Sequence, residues 1–175
     1  LRQHDLKLLL AYGTISQLGL MMLLFGVGTR ESIFAGYTLL LAHGIFKAAL
    51  FMLVGIIDHQ SKTRDLRKLD RLGATWPVVA ATAGVVAASM AGIPPLFGFL
   101  AKEEALAALG ETGFAWGVPV LIGVVLGSSF TVAYSARFVW GAFGPRPVST
   151  IPHQDSVRSE AVGQQVPKPS KMFLA

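Results

Sequence analysis

The 175-residue sequence contains no cysteine. That excludes disulfide frameworks, zinc sites built on thiolates and cysteine nucleophiles. Charge is scarce as well: Asp, Glu, Lys and Arg make up 14% of the residues, against roughly 25% in an average soluble domain. A Walker loop, an HExxH zinc motif and a GxSxG nucleophile elbow are all missing. The chain therefore offers no nucleophile–base–acid set, and no metal or cofactor is expected. It also lacks a signal-peptide pattern, starting at Leu1 rather than Met.

The remaining composition is apolar. Residues of the set AVILMFWYC make up 53%, and the mean hydropathy is +0.56. Such a chain is neither disordered nor a basic nucleic-acid-binding arm. The net charge of +5 sits in short segments between apolar runs, where it acts as a topology signal. Lys171-Met172-Phe173-Leu174-Ala175 reads as the start of another apolar run. The expectation is an internal fragment of a longer, multi-pass membrane protein.

A spanning helix needs about 20 mostly apolar residues, and four segments supply them. The expected fold is all-α, a polytopic helix bundle over residues 1–143, with spans at about 8–27, 33–57, 77–108 and 116–143. The third is discontinuous, broken at 92–95 by Gly92-Ile93-Pro94-Pro95, and Thr75 is its expected N-cap. Residues 144–171, rich in Pro, Ser and Gln, read as a linker, and 172–175 as the start of a further span. Basic segments alternate with non-basic ones. The positive-inside rule then puts the N-terminus, the Asp58–Arg71 loop and the C-terminal tail in the cytoplasm of a cell-membrane protein.

Three features carry chemistry. His43 and Lys47 are spaced i and i+4, so they share one face of the second span. A Lys near mid-bilayer costs about 2.5–3.5 kcal/mol on insertion scales, and such residues mark ion or proton paths. A histidine beside it suits a proton relay. The structural alternative pairs Lys47 with an acid of a neighbouring helix and makes His43 a satisfied interior group. At the break, Pro94 and Pro95 have no N–H groups, so the carbonyls of Met90 and Ala91 lose their helical partners. Broken helices at membrane depth line cavities and ion sites. Lys102, just beyond, either hangs on the discontinuous helix for ion transfer or snorkels to the interface from a helix end. Lys7 precedes a first span with Tyr12, Thr14, Ser16 and Gln17 near its start; on the residues alone it reads as an interfacial anchor. Gly123 and Gly127 form a GxxxG pattern, a weak signal of close helix packing.

These residues resemble a known family. The run Asp5-Leu6-Lys7-Leu8-Leu9-Leu10-Ala11-Tyr12-Gly13-Thr14-Ile15-Ser16-Gln17-Leu18-Gly19 is similar to the D-[IL]-K-x-x-L-A-Y-[SG]-T-[IV]-S-Q-[IL]-G segment of the antiporter-like subunits shared by respiratory complex I and Mrp-type multisubunit Na⁺/H⁺ antiporters. His43-Gly44-Ile45-Phe46-Lys47-Ala48-Ala49-Leu50-Phe51 resembles their H-x-x-F-K-A-x-L-F. Gly92-Ile93-Pro94-Pro95 through Gly98-Phe99-Leu100-Ala101-Lys102-Glu103 resembles their broken helix. Gly55-Ile56-Ile57-Asp58-His59 and Thr63-Arg64-Asp65-Leu66-Arg67 are similar to a stretch of the Mrp A-type polypeptide, with Ser61-Lys62 departing from its Thr-Gly. Leu39 stands where complex I homologues often carry a second His.

The resemblance covers about residues 5–143. It implies that Lys7, His43, Lys47 and Lys102 belong to a central polar axis, with Glu103 the acidic neighbour of a terminal lysine. It implies a secondary transporter rather than an enzyme, moving H⁺ in exchange for Na⁺ among the other subunits of a membrane complex. The alternatives are the proton-pumping subunit of complex I and a non-transporting structural membrane piece. A Glu and a Lys that the family carries on earlier helices have no counterpart here, so the fragment alone is not expected to transport.

Overall fold

A computed structural model describes residues 3–69, 72–111 and 117–144. The expected linker and further span, beyond 144, lie outside the described residues, as does Trp116 at the expected start of the fourth span. The described residues form helices α1 (Leu6–Val27), α2 (Arg30–Ser61), α3 (Leu72–Thr75), α4 (Pro77–Ala91), α5 (Phe97–Gly110) and α6 (Gly117–Phe143). No strand occurs among them; one isolated antiparallel bridge joins Asp5 and Asp65.

Local chemistry sets the helix ends. Asp5 caps α1, its carboxylate accepting from the backbone N–H of Lys7 at 2.8 Å and of Leu8 at 3.1 Å. A two-residue turn, Gly28-Thr29, leads into α2, whose Ser32 N–H is accepted by Thr29 Oγ1 at 3.1 Å. At the start of α4 the structure differs from the expectation. Thr75 ends the single turn of α3, and Trp76 occupies the N-cap without a side-chain hydrogen bond. The Trp76 N–H already closes that turn onto the Leu72 carbonyl at 2.7 Å, and Pro77 at the first helical position has no N–H to be capped.

Helices α1, α2 and α6, of 22, 32 and 27 residues, are long and apolar enough to cross a membrane. With 15 and 14 residues, α4 and α5 reach only about 20 Å each at 1.5 Å per residue. Neither is long enough to cross a hydrocarbon layer of about 30 Å alone. The result is a helical multi-pass membrane bundle. Helix α2 is central, packing on α1, α4 and α5, while α6 closes against α1, α4 and α5. Leu39, Phe46, Leu50, Val54 and Ile57 carry the α2 share of the core.

One end of the bundle is polar and tied together. The segment after α2 folds back on the start of α1: the Leu6 N–H donates to the Arg64 carbonyl (3.1 Å) and the Leu66 N–H to that of His4 (2.8 Å). Arg64 Nε lies 3.8 Å from both Asp5 and Asp58. From the end of α6, Arg137 Nη2 donates to the Gln3 carbonyl at 3.1 Å. The Arg67 guanidinium, 2.8 Å from Asp65, holds the Asp65 carboxyl well below the usual carboxylate range, assisted by the Arg67 N–H.

Candidate functional site: buried cations and a broken helix

Lys47 lies midway along α2 and is buried, with 5% of its surface exposed. Its ammonium donates to the backbone carbonyl of Leu10 on α1 at 2.8 Å. That carbonyl also accepts from Thr14 Oγ1 at 3.0 Å. The Tyr134 ring of α6 stands on another side, its centroid 5.6 Å from Nζ. Among the described residues Lys47 makes no ion pair; the close Lys or Arg to carboxylate pairs there involve Arg64 and Arg67. One turn before it, His43 is also buried. Its ring meets Phe46 edge-on at 5.3 Å, and its Nδ1 has no hydrogen-bond partner. An ammonium held by neutral groups in a low-dielectric interior is sensitive to any second charge brought near it.

The break between α4 and α5 is built from its sequence. Gly92 ends α4 in the left-handed conformation at φ +86°, a region glycine reaches without a Cβ penalty. Its N–H donates to the carbonyls of Ala88 and Ser89, and Ile93 returns to Ala88 as well. Pro95, four residues past Ala91, has no N–H to offer the Ala91 carbonyl. Lys102 offers one instead: its ammonium donates to Ala91 O at 2.9 Å, and its aliphatic stem lies on Gly92. The two half-helices overlap side by side at Gly98. There the Gly98 N–H donates to Ser89 Oγ at 3.3 Å, and any Cβ would overlap the Ser89 carbonyl oxygen.

Of the sequence-predicted residues, the structure brings His43 and Lys47 together and sets Lys102, with Gly92, Pro94 and Pro95, at the break. Lys7 lies exposed in the first turn of α1, one turn before Leu10, and Glu103 is exposed on α5. The neighbouring Glu104 instead has a carboxylate oxygen buried without a donor. Sequence reasoning missed Glu104 and also Tyr134. The only signal for Tyr134 was a phenol one turn before Arg137 in an apolar helix.

The sequence family described as NADH:quinone oxidoreductase/Mrp antiporter, TM matches residues 1–131. The chain is 43% identical over 154 residues to a probable K(+)/H(+) antiporter A/B polypeptide of Rhizobium meliloti, covering 87% of this chain and 15% of that protein. It is 37% identical over 180 residues to the A1 polypeptide of a Na(+)/H(+) antiporter of Staphylococcus haemolyticus, covering 89% of this chain and 22% of that protein. The structure of the Mrp complex from a Dietzia species superposes with a TM-score of 0.74 at 46% identity, over 82% of this chain and 16% of the matched chain. The chain thus spans about a fifth or less of the length of these relatives. With the helix break, the buried Lys47 and the half-buried Lys102 inside the matched residues, it belongs to the transmembrane family shared by NADH:quinone oxidoreductases and Mrp antiporters.

Proposed function

We propose that this chain is part of a cation/proton antiporter subunit of the Mrp type, moving H⁺ through Lys47, His43 and Lys102 in exchange for Na⁺. The observation that carries the reading is Lys47: a buried ammonium bound to a backbone carbonyl, with no carboxylate ion pair among the described residues. A structural lysine buried at such cost is normally paired with an acid. A proton carrier needs to be left without a permanent counter-ion. Lys102, half-buried on the Ala91 carbonyl, is a second station, with Glu103 beside it on α5 and Lys7 at the start of α1 as further members of the axis. A proton on one station raises the cost of a proton on the next, which couples them. The membrane potential drives exchange by about 2.3 kcal/mol per charge per 100 mV.

The activity belongs to the assembled complex, so partner subunits of a multisubunit membrane antiporter are part of the proposal. So is the orientation with the N-terminus and the basic Asp58–Arg71 loop in the cytoplasm, supported by the basic residues at the tied end of the bundle. The transported cation has a second reading, K⁺, favoured by the name of the Rhizobium relative. Redox-driven proton pumping is the alternative favoured by the family's breadth.

The test is ΔpH in everted vesicles from an antiporter-deficient host expressing the full-length subunit with its neighbours. Na⁺ or K⁺ should collapse ΔpH in wild type and not in Lys47→Met or Lys102→Ala. If neither cation does so in the confirmed wild-type assembly, the antiport reading fails and redox-driven pumping takes its place.

A further inference from the structure

We propose that Tyr134 is a positioning residue for Lys47: the face of its ring takes the place of a counter-ion and holds the ammonium while it carries a proton. The inference rests on the reading of Lys47 as a proton carrier. Both residues are buried, with 5% of Lys47 and 8% of Tyr134 exposed. Lys47 Nζ stands over the ring, 5.6 Å from its centroid, inside the roughly 6 Å within which an aromatic face attracts a cation. The attraction comes from the negative face of the ring quadrupole, and it is stronger for a desolvated cation than for an exposed one. The ammonium donates to the Leu10 carbonyl of α1, and His43 lies one turn away on its own helix. Among the described residues no carboxylate pairs with it.

A ring face suits this task in a way that a carboxylate does not. A carboxylate keeps its charge after the lysine has given up its proton, and an unpaired buried anion is costly. An aromatic ring has no net charge to leave behind. It attracts the ammonium and adds no such cost to the neutral amine. Tyr134 therefore favours one protonation state of Lys47 without penalising the other through an orphaned charge.

The fold brings ring and lysine together through α1. Lys47 is anchored on α1 at the Leu10 carbonyl. The ring reaches the same stretch of α1 at Gly13, almost one turn further on, which carries no side chain where the ring passes. A Cβ there would lie 2.6 Å from the ring Cζ and from the hydroxyl oxygen. In Gly13→Ala the ring, as the far end of a side chain, is what gives way, and it leaves the lysine. The Tyr134 hydroxyl donates to Met90 Sδ at 3.4 Å. That sulfur is a weak acceptor, so the hydroxyl contributes little and the ring is the working part.

The experiment uses the full-length subunit in its assembled complex. Position 134 is varied as Tyr134→Phe, as the same phenyl ring carrying one, two or three fluorines, and as Tyr134→Leu. Each fluorine draws electron density from the ring face and weakens the quadrupole while nearly keeping the shape. The amount of assembled subunit surviving heating in detergent should be nearly unchanged in Tyr134→Phe and fall stepwise with each fluorine. In a Lys47→Met background the same series should be flat. The rate of cation-dependent ΔpH collapse in everted vesicles should stay within about twofold of wild type in Tyr134→Phe and fall about tenfold across the fluorine series. Gly13→Ala should lower it as well. A heating series that is flat with Lys47 present, or equally steep in Lys47→Met, would show the ring to be packing alone and would overturn the proposal. So would a wild-type rate of ΔpH collapse in Tyr134→Leu. Survival on heating reads the contact, whereas ΔpH in the Lys47→Met vesicles reads the antiport role, so the two fail separately.

Discussion

Lys47 and Lys102 are held by the same kind of bond in opposite circumstances. Each ammonium donates to a backbone carbonyl, Leu10 O at 2.8 Å and Ala91 O at 2.9 Å. The Leu10 carbonyl lies inside an unbroken helix, and Lys47 shares an acceptor already used by its own helix and by Thr14 Oγ1. The Ala91 carbonyl lies at a break, where Pro95 has removed the N–H that would have met it. Lys47 is thus an added charge that the fold tolerates, whereas Lys102 completes the backbone bonding of the fold. The proposed role of Lys102 in transport would couple that role to the helix break it repairs. Losing its bond to Ala91 exposes an unpaired carbonyl inside a membrane, where such groups are costly.

The largest expected effect breaks one side of this comparison and spares the other. Gly98→Val would force α5 away from the Ser89 carbonyl, and with it Lys102 from Ala91, while the contact of Lys47 with Leu10 stays intact. We expect a loss of about 3 kcal/mol, the upper range for overpacking, read as the amount of assembled subunit surviving heating in detergent. Next in size, Lys102→Met orphans the Ala91 carbonyl and should cost about 1–3 kcal/mol in the same assay. Lys47→Met orphans no backbone group and removes a buried charge, so its stability should stay within about 1 kcal/mol of wild type. Both variants should abolish cation-dependent ΔpH collapse. Equal stability losses in the two would show that the Ala91 carbonyl does not depend on Lys102.

Smaller effects are expected at the tied end of the bundle. Arg64→Ala removes two long, half-exposed ion pairs with Asp5 and Asp58 and should cost about 0.2–1 kcal/mol, shrinking as salt is raised. The smallest effect is pH-dependent. The Asp65 carboxyl is held low by Arg67, so its contribution is present above the ordinary carboxylate value and is lost as pH falls through the lower, folded one. The melting difference between wild type and Asp65→Asn should therefore be constant from pH 8 to pH 5 and fade only below about pH 4.

The spans and the break were legible in the residues. Uncharged runs mark α1 and α6, and Gly92-Ile93-Pro94-Pro95 marks the gap between α4 and α5. Helix α2, from Arg30 to Ser61, extends beyond the apolar run at 33–57. Hydropathy marks the hydrocarbon layer, and the helix continues past it until a cap or a left-handed residue such as Lys62 ends it. The Trp76 start of α4 was missed because the turn that displaces Thr75 is closed by a backbone bond. In the site, the i, i+4 spacing of His43 and Lys47 was plain. The ring over Lys47, from Tyr134 on another helix, was not.

The apolar runs, the place of the break and the presence of cations within those runs are local properties. They follow from side-chain apolarity and from proline's missing N–H, and the sequence alone determined them. The acceptors of those cations are not local. Lys47 finds Leu10 at a separation of 37 residues and Lys102 finds Ala91 across 11. A peptide carbonyl is chemically the same at every residue, so nothing in the sequence marks which ones receive an ammonium. Only the packing of α1 on α2, and of the start of α5 beside the end of α4, decided that.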